Sequence, residues 1–298
     1  MNSDEQLEIL KKREYLVVKG NELIQQNRFE LSLTEQKTIA FICSMIKPIE
    51  AIDRANGVPF QLEYEFNIRD YCKVCGINYD SGKNYAEVKA TLKRLRDRSM
   101  WLAMPDGSES LVGWLAKVNT NKKSGIAKIK IDEDLVPYLF DLGQRFTQYQ
   151  LYNILAMKSA FSVRIYELMK SYAFQRTKTF ELDELKRLLM VEDVKSYSRF
   201  PDFRRYVLEK AQEEINELTD INIFFEPVTK GRKVVKVKFR IEQKDTMERW
   251  LAGTTANDRL GELGKEKKSK EMTQEEKEKY NQMVKNAEQM EMFGSSKE

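Results

Sequence analysis

Two stretches of the chain carry one pattern. "FNIRDYCKVCGI", Phe66 to Ile77, and "FELDELKRLLMV", Phe180 to Val191, align without a gap. Each has an apolar-x-apolar opening, an acidic residue, a basic residue and a closing aliphatic, and each predicts a short extended piece leading into a short helix. In both places a polar loop follows, then a longer helix, then strand-like runs. Short helix, turn, long helix and β-hairpin make the winged-helix version of the helix-turn-helix motif, so the chain is expected to contain that unit twice.

The long helix of the first copy is "NYAEVKATLKRLRDRS", with Tyr85, Val88, Leu92 and Leu95 as its apolar stripe. The following segment has turn signals at Pro105 to Gly107 and at Asn121 to Gly125, which predict a β-hairpin or small sheet. In the second copy, "INIFFEPVTKGRKVVKVKFRI" reads as two strands joined at Lys230 and Gly231. The helix "LAMKSAFSVRIYELMKSYAF" would open that copy, with Ile165, Leu168, Met169 and Tyr172 on one face. Near the start of the chain, Ser32 and Glu35 have capping-box spacing. Ile39, Ile42, Cys43 and Ile46 then fall at i, i+3, i+4 and i+7, and Pro48 stops the helix. The expected fold is α+β, with two tandem winged-helix domains over residues 1–145 and 146–252 and a flexible charged tail over 253–298. The length of 298 residues and the 41% hydrophobic content suffice for two such cores.

The composition excludes much chemistry. There is no histidine, which rules out Ser-His and Cys-His nucleophiles and histidine-ligated metals. No G-x-x-x-x-G-K-[ST] loop is present to cradle a nucleotide. Cys72 and Cys75 form a C-x-x-C, but a zinc site needs two more ligands and the only other cysteine is Cys43, so the pair reads as two half-buried thiols on a short helix. No acidic cluster stands out for carboxylate catalysis. We expect no enzyme, no cofactor and no metal. No run of about 18 apolar residues could span a bilayer, and the charged start lacks a signal peptide, so a cytoplasmic protein without a membrane partner is expected.

Charge gives the positive indication. The net charge is +4, yet from Gly253 onward nine Lys or Arg face ten Asp or Glu, so the excess lies in the body of the chain. In "RFPDFRRYVLEKAQEEINEL", Arg199 to Leu218, the arginines come first and the later polar positions turn acidic. Phe203, Val207, Leu208, Ala211, Ile215 and Leu218 make the buried stripe. Arg205 points away from that stripe, while Arg204 lies nearer to it and would have to reach out. Glu209 and Glu213, further along the outward face, would repel phosphate. This order fits a recognition helix inserted by its beginning, with Arg199, Arg204 and Arg205 towards the major groove. A solvated first turn is the alternative, although cations are slightly unfavourable at a helix N-terminus.

The hairpin adds Lys230, Arg232 and Lys233 at its turn. Lys236, Lys238 and Arg240 alternate with Val235, Val237 and Phe239, which predicts a basic strand face able to grip phosphate. Lysines that deter edge-strand aggregation would look similar. In the first copy, Lys83, Lys89, Lys93 and Arg96 on the helix, and Lys122 and Lys123 at the turn, are candidates for holding the DNA backbone. Ordinary solvated lysines explain them equally well.

The run "VVKGNELIQQNRFELSLTEQKTIAFI", followed by "FPDFRRYVLEKAQEEINELTDINIFFEPVTKGRKVVKVKFRI", resembles the iteron-binding plasmid replication initiators of the theta-replicating type, which are built from two winged-helix domains. The resemblance covers roughly Glu14 to Glu242. It implies a protein that binds directly repeated origin sites as a monomer, helps open adjacent AT-rich DNA and recruits the host helicase and initiator machinery. The first domain would mediate a homodimer that represses the protein's own gene, and the second would read sequence. On that basis Arg204 and Arg205 carry over as base readers, and Lys230, Arg232 and Lys233 as phosphate contacts. A dedicated winged-helix transcriptional repressor would share these residues. Near the end of the chain, Gln289, Met290, Met292 and Phe293 resemble the pentapeptide that bacterial replication proteins insert into the sliding clamp; a bland amphipathic tail end is the alternative.

Overall fold

The repeated pattern folds the same way twice. The computed structural model describes residues 3–28, 30–77, 82–104, 107–142 and 145–261. The first half contains α1 (Ser3–Arg13), β1 (Leu16–Gly20), α2 (Asn21–Gln25), α3 (Leu33–Cys43), α4 (Ala51–Ala55), β2 (Glu63–Asn67), α5 (Ile68–Val74) and α6 (Gly82–Asp97). Then come β3 (Ser99–Ala103), β4 (Glu109–Gly113), β5 (Leu115–Asn121), β6 (Ile126–Ile131) and α7 (Val136–Leu139). The second half contains β7 (Phe146–Gln150), α8 (Tyr152–Leu155), α9 (Ala160–Ser171), β8 (Thr177–Glu181), α10 (Leu182–Leu188), α11 (Phe200–Phe203), α12 (Glu209–Leu218), β9 (Ile221–Lys230), β10 (Lys233–Gln243) and α13 (Thr246–Leu260).

In each copy a strand turns directly into the short helix, β2 into α5 and β8 into α10. Both helices end in the same hydrogen-bonded cap. Ile77 N donates to Cys72 O at 2.7 Å, and Val191 N donates to Lys186 O at 2.9 Å, each closing a left-handed residue. That residue is Gly76 in the first copy, with φ 68°, and Met190 in the second, with φ 55°. Glycine is needed at the first position for a further reason, because a Cβ there would lie 2.7 Å from Leu260 O. The sheets match as well: β2-β6-β5 in one copy, β8-β10-β9 in the other, all antiparallel. Phe66 sits opposite Ala127 and Phe180 opposite Val237, and all four are buried. The β3–β4 hairpin is inserted between α6 and β5 and has no counterpart in the second copy.

The expected helix faces are in place. Tyr85, Val88, Leu92 and Leu95 of α6 are buried, as are Ile39, Ile42, Cys43 and Ile46 on and after α3. Ser32 and Glu35 form the reciprocal capping box, and Glu35, itself fully buried, also receives Arg94 at 3.0 Å and Arg98 at 3.6 Å. The short helix α1 was not legible from the sequence. It is held by Arg13, whose Nε donates to Val74 O at 2.8 Å, while burial draws the guanidinium down to about 10.

The expected division at Phe146 does not separate two independent bodies. β7, which begins there, pairs along its whole length with β1, from Gly20 opposite Phe146 to Leu16 opposite Gln150. One contiguous apolar core runs through both halves. Helix α9, expected as the linking helix that opens the second copy, packs against α2 and α3 of the first half as well as α12 of the second. The expected start of a flexible tail at Gly253 also requires correction. Gly253 lies inside α13, which begins with an Asp245–Glu248 capping box and buries Ala252 and Ala256. Small residues allow that approach: a Cβ on Gly253 would lie 3.3 Å from the Tyr152 ring.

At the seam, Lys19 Nζ on β1 donates to Glu167 Oε1 on α9 at 2.6 Å, and Tyr149 Oη on β7 donates to the same oxygen at 2.6 Å. All three side chains are buried. Burial alone would raise the Glu167 carboxyl, but Lys19 and Tyr149 outweigh it and hold the group below its ordinary value of 4.5. Its stabilising contribution is therefore present above that ordinary value and is lost as pH falls through the lower folded value. Lys19→Met, which strands the carboxylate, should cost about 3–5 kcal/mol in denaturant unfolding at neutral pH, with part recovered by adding Glu167→Leu. An acid limb of the stability curve that is unchanged in Glu167→Gln would contradict this assignment.

Candidate nucleic-acid interface

The recognition helix is not a regular α-helix. α11 opens with Arg199 at its N-cap and Pro201 in its first turn, where proline's fixed φ suits helix entry. Between α11 and α12 lies a π-helical turn, Arg204–Leu208, in which Glu209 N donates to Arg204 O five residues back. The wider turn brings Phe203, Val207 and Leu208 into the core together, ahead of Ala211, Ile215 and Leu218. It leaves Arg204, Arg205 and Tyr206 exposed in succession. Arg204, expected near the stripe, is thus as outward as Arg205. Its Nε donates to Glu209 Oε1 at 2.8 Å, an ion pair with the i, i+5 spacing of the π turn.

Helix and wing leave a common vertex. α12 ends at Leu218, β9 begins at Ile221, and the Asn216 side chain bridges them by accepting from Ile223 N at 2.7 Å and donating to Ile223 O at 3.0 Å. Both arms run back from that vertex for roughly 30 Å. At the turn, Lys230 pairs with Lys233 across Gly231, whose φ of 63° favours glycine.

The basic strand face is largely neutralised. Lys236 meets its register partner Glu181 at 2.7 Å, Lys238 meets its register partner Glu226 at 3.0 Å, and Arg240 pairs with Glu242. A bulge between Val234 and Lys236 also breaks the expected alternation at Val235. Arg199 is paired with Asp202 at 3.4 Å. Arg205, Lys230, Arg232 and Lys233 are exposed and have no ion-pair partner among the described residues. Within the helix and wing, uncompensated positive charge thus remains at the helix start and at the wing tip; Arg176, Arg187, Lys195, Lys210 and Arg249 of the same unit are also exposed without an ion pair among the described residues.

In the first copy Lys83 lies in the opening turn of α6, and Lys89 is exposed further along it. Lys93 and Arg96 both pair with Asp97. Lys122 and Lys123 are exposed at the β5–β6 turn. Two exposed residues that sequence reasoning passed over stand beside Arg205: Tyr206, with the Arg205 guanidinium 5.4 Å from its ring centroid, and Lys210, with its Nζ 5.6 Å from the same ring. The signal that could have found Tyr206 was its place, with Arg204 and Arg205, in the gap between the buried positions Phe203 and Val207; for Lys210 it was the i, i+4 spacing from Tyr206. Cys72 and Cys75, expected to be half-buried, are fully buried, and burial pushes their thiols up to about 11 and about 12. That makes them core residues rather than nucleophiles. Gln289, Met290, Met292 and Phe293 lie outside the described residues. Among the described residues, no helix is long and apolar enough to cross a membrane.

The fold defines the class: an α+β protein of two tandem winged-helix units. Residues 16–170 match the family described as initiator replication protein, WH1, and residues 181–241 match initiator Rep protein, WH2. The chain belongs to this family of replication initiator proteins. A replication initiation protein of Escherichia coli is 26% identical over 239 residues, covering 77% of this chain and 70% of its own length. The PI protein of Escherichia coli is 30% identical over 146 residues, 44% of this chain and 47% of that one. The crystal structure of Pi initiator protein in complex with iteron DNA superposes with a TM-score of 0.61 at 22% identity, covering 78% of this chain and 99% of that chain, a likeness of fold.

Proposed function

We propose that this protein is a plasmid replication initiator that binds directly repeated origin DNA through its second winged helix. The observation that carries the reading is that four cations of the helix and wing, Arg205 at the helix start and Lys230, Arg232 and Lys233 at the wing turn, are exposed without an ion-pair partner among the described residues. An arginine at the beginning of such a helix can fork onto guanine O6 and N7, while lysines at a wing release counterions from phosphate. Arg204, tethered to Glu209, would exchange that carboxylate for a base edge on docking. Membership of the initiator family, and a fold shared with an initiator solved on iteron DNA, support the same reading.

The protein would act without catalysis of its own. With no phosphate loop and no histidine, it would open the duplex by binding energy and take its helicase from the host. The first unit, through Lys89, Lys122 and Lys123, would hold the DNA backbone beside the site. It would also pair two copies into a dimer that represses the protein's own gene.

Footprinting on the DNA flanking the gene, with a single-strand-sensitive probe in the same reaction, tests the function. Protection of several direct repeats with unpaired bases nearby is the expected outcome. Protection of one inverted repeat on a closed duplex would make the protein a repressor instead. Arg205→Ala should weaken cognate binding by about 1–3 kcal/mol and relax specificity. Lys233→Ala should weaken binding to all DNA alike and lower the salt slope by about one. Equal losses by both variants on cognate and random duplexes would remove the base-reading role of Arg205.

A further inference from the structure

Tyr206 has a large ring, is 45% exposed, and sits where a water-facing helix position ordinarily carries a polar chain. Among the described residues it is the exposed aromatic of the recognition helix: Phe203 is in the core and Phe200 packs against it. Nearly half of Tyr206 stays open to solvent. It is nonetheless held in place, with the Arg205 guanidinium and the Lys210 ammonium each within 6 Å of its centroid, at 5.4 and 5.6 Å. The backbone beneath it is the π turn, closed by the Glu209 N to Arg204 O bond and buttressed by the Arg204–Glu209 ion pair. π turns are rare and concentrate at functional positions.

An apolar surface fixed beside a guanine-reading arginine has a definite complement in B-DNA. The major groove offers donors and acceptors on every base pair, but its apolar group is the C5-methyl of thymine. We infer that Tyr206 is a specificity-determining residue that packs its ring on a thymine methyl next to the base read by Arg205. The inference rests on the proposed DNA-binding function and names one of its base contacts. Lys210, on the far side of the ring, is left to meet the adjoining phosphate.

The test replaces each thymine of the protected repeat in turn with uracil, which removes the methyl and leaves the pairing unchanged. Binding of the full-length wild type, Tyr206→Ala and Tyr206→Phe is measured on each duplex at fixed salt, with thermal melting confirming that the variants fold. At one position the wild type should lose about fourfold in affinity, the worth of one buried methyl group. Tyr206→Ala should lose nothing further there, and Tyr206→Phe should respond as the wild type does. The inference is overturned if no position distinguishes wild type from Tyr206→Ala. It is also overturned if Tyr206→Phe weakens on cognate and random DNA alike, because the hydroxyl would then be a phosphate contact. A wild type that does not prefer the repeats over random duplex would sink the function itself, whereas a clear preference without methyl coupling would sink only this inference.

Discussion

The buried cluster of Lys19, Glu167 and Tyr149 joins what the sequence divides. One strand from each side of the expected boundary, β1 and β7, meets helix α9 at this point, and the shared carboxylate oxygen ties all three elements. Helix α9 then reaches in both directions. Arg164 donates to Asn27 O at 2.8 Å on the first half, and Tyr166 donates to Asp220 at 2.9 Å, just beyond the recognition helix. Lys170 pairs with the same aspartate. A buried ion pair is weak as a source of stability, but it penalises every arrangement that leaves one charge alone. Its role here is to hold the second winged helix in one orientation relative to the first.

The C-terminal helix completes that constraint. α13 packs on α8 and α12, Arg259 pairs with Glu217, and Arg13 reaches Asn257 from the first helix of the chain. The close approach of Leu260 to Gly76 places the end of α13 against the cap of the first copy's short helix. The two winged-helix units are thus joined at the strand pair and at α13. With the scaffold held in this way, the functional question reduces to where charge is left uncompensated. Acidic partners pair with the middle of the wing and leave its tip and the helix start, so the unpaired positive surface of the wing is narrower than a count of lysines implies.

Much of this was legible because it depends on local period and spacing. The apolar-x-apolar pattern at Phe66 and Phe180, the Ser32–Glu35 capping box and the stripes of α6 and α12 each report a local backbone state and a buried face. What escaped depends on contacts between distant segments. Lys236 and Lys238 read as free cations because the cross-strand register that brings Glu181 and Glu226 to them is invisible in the chain order. Lys19 and Glu167 are 148 positions apart, and no local pattern marks either as buried. The π turn escaped because a one-residue widening alters exposure without altering composition. In it Arg204, Arg205 and Tyr206 are exposed in succession. The tail was expected from Gly253 because the chain from there on is charge-rich and poor in apolar residues, whereas α13 runs on to Leu260 and the missing side chain of Gly253 admits Tyr152.

In the proposed function, DNA is met at the beginning of the recognition helix and the tip of the second wing. Backbone hydrogen exchange of the full chain, with and without a duplex carrying the protected repeats, tests it most directly. The account predicts slowed exchange concentrated in residues 199–210 and 229–234, with weaker slowing at 121–125. Slowing confined to the β3–β4 hairpin or to α13, with 199–210 unchanged in the bound state, would contradict it.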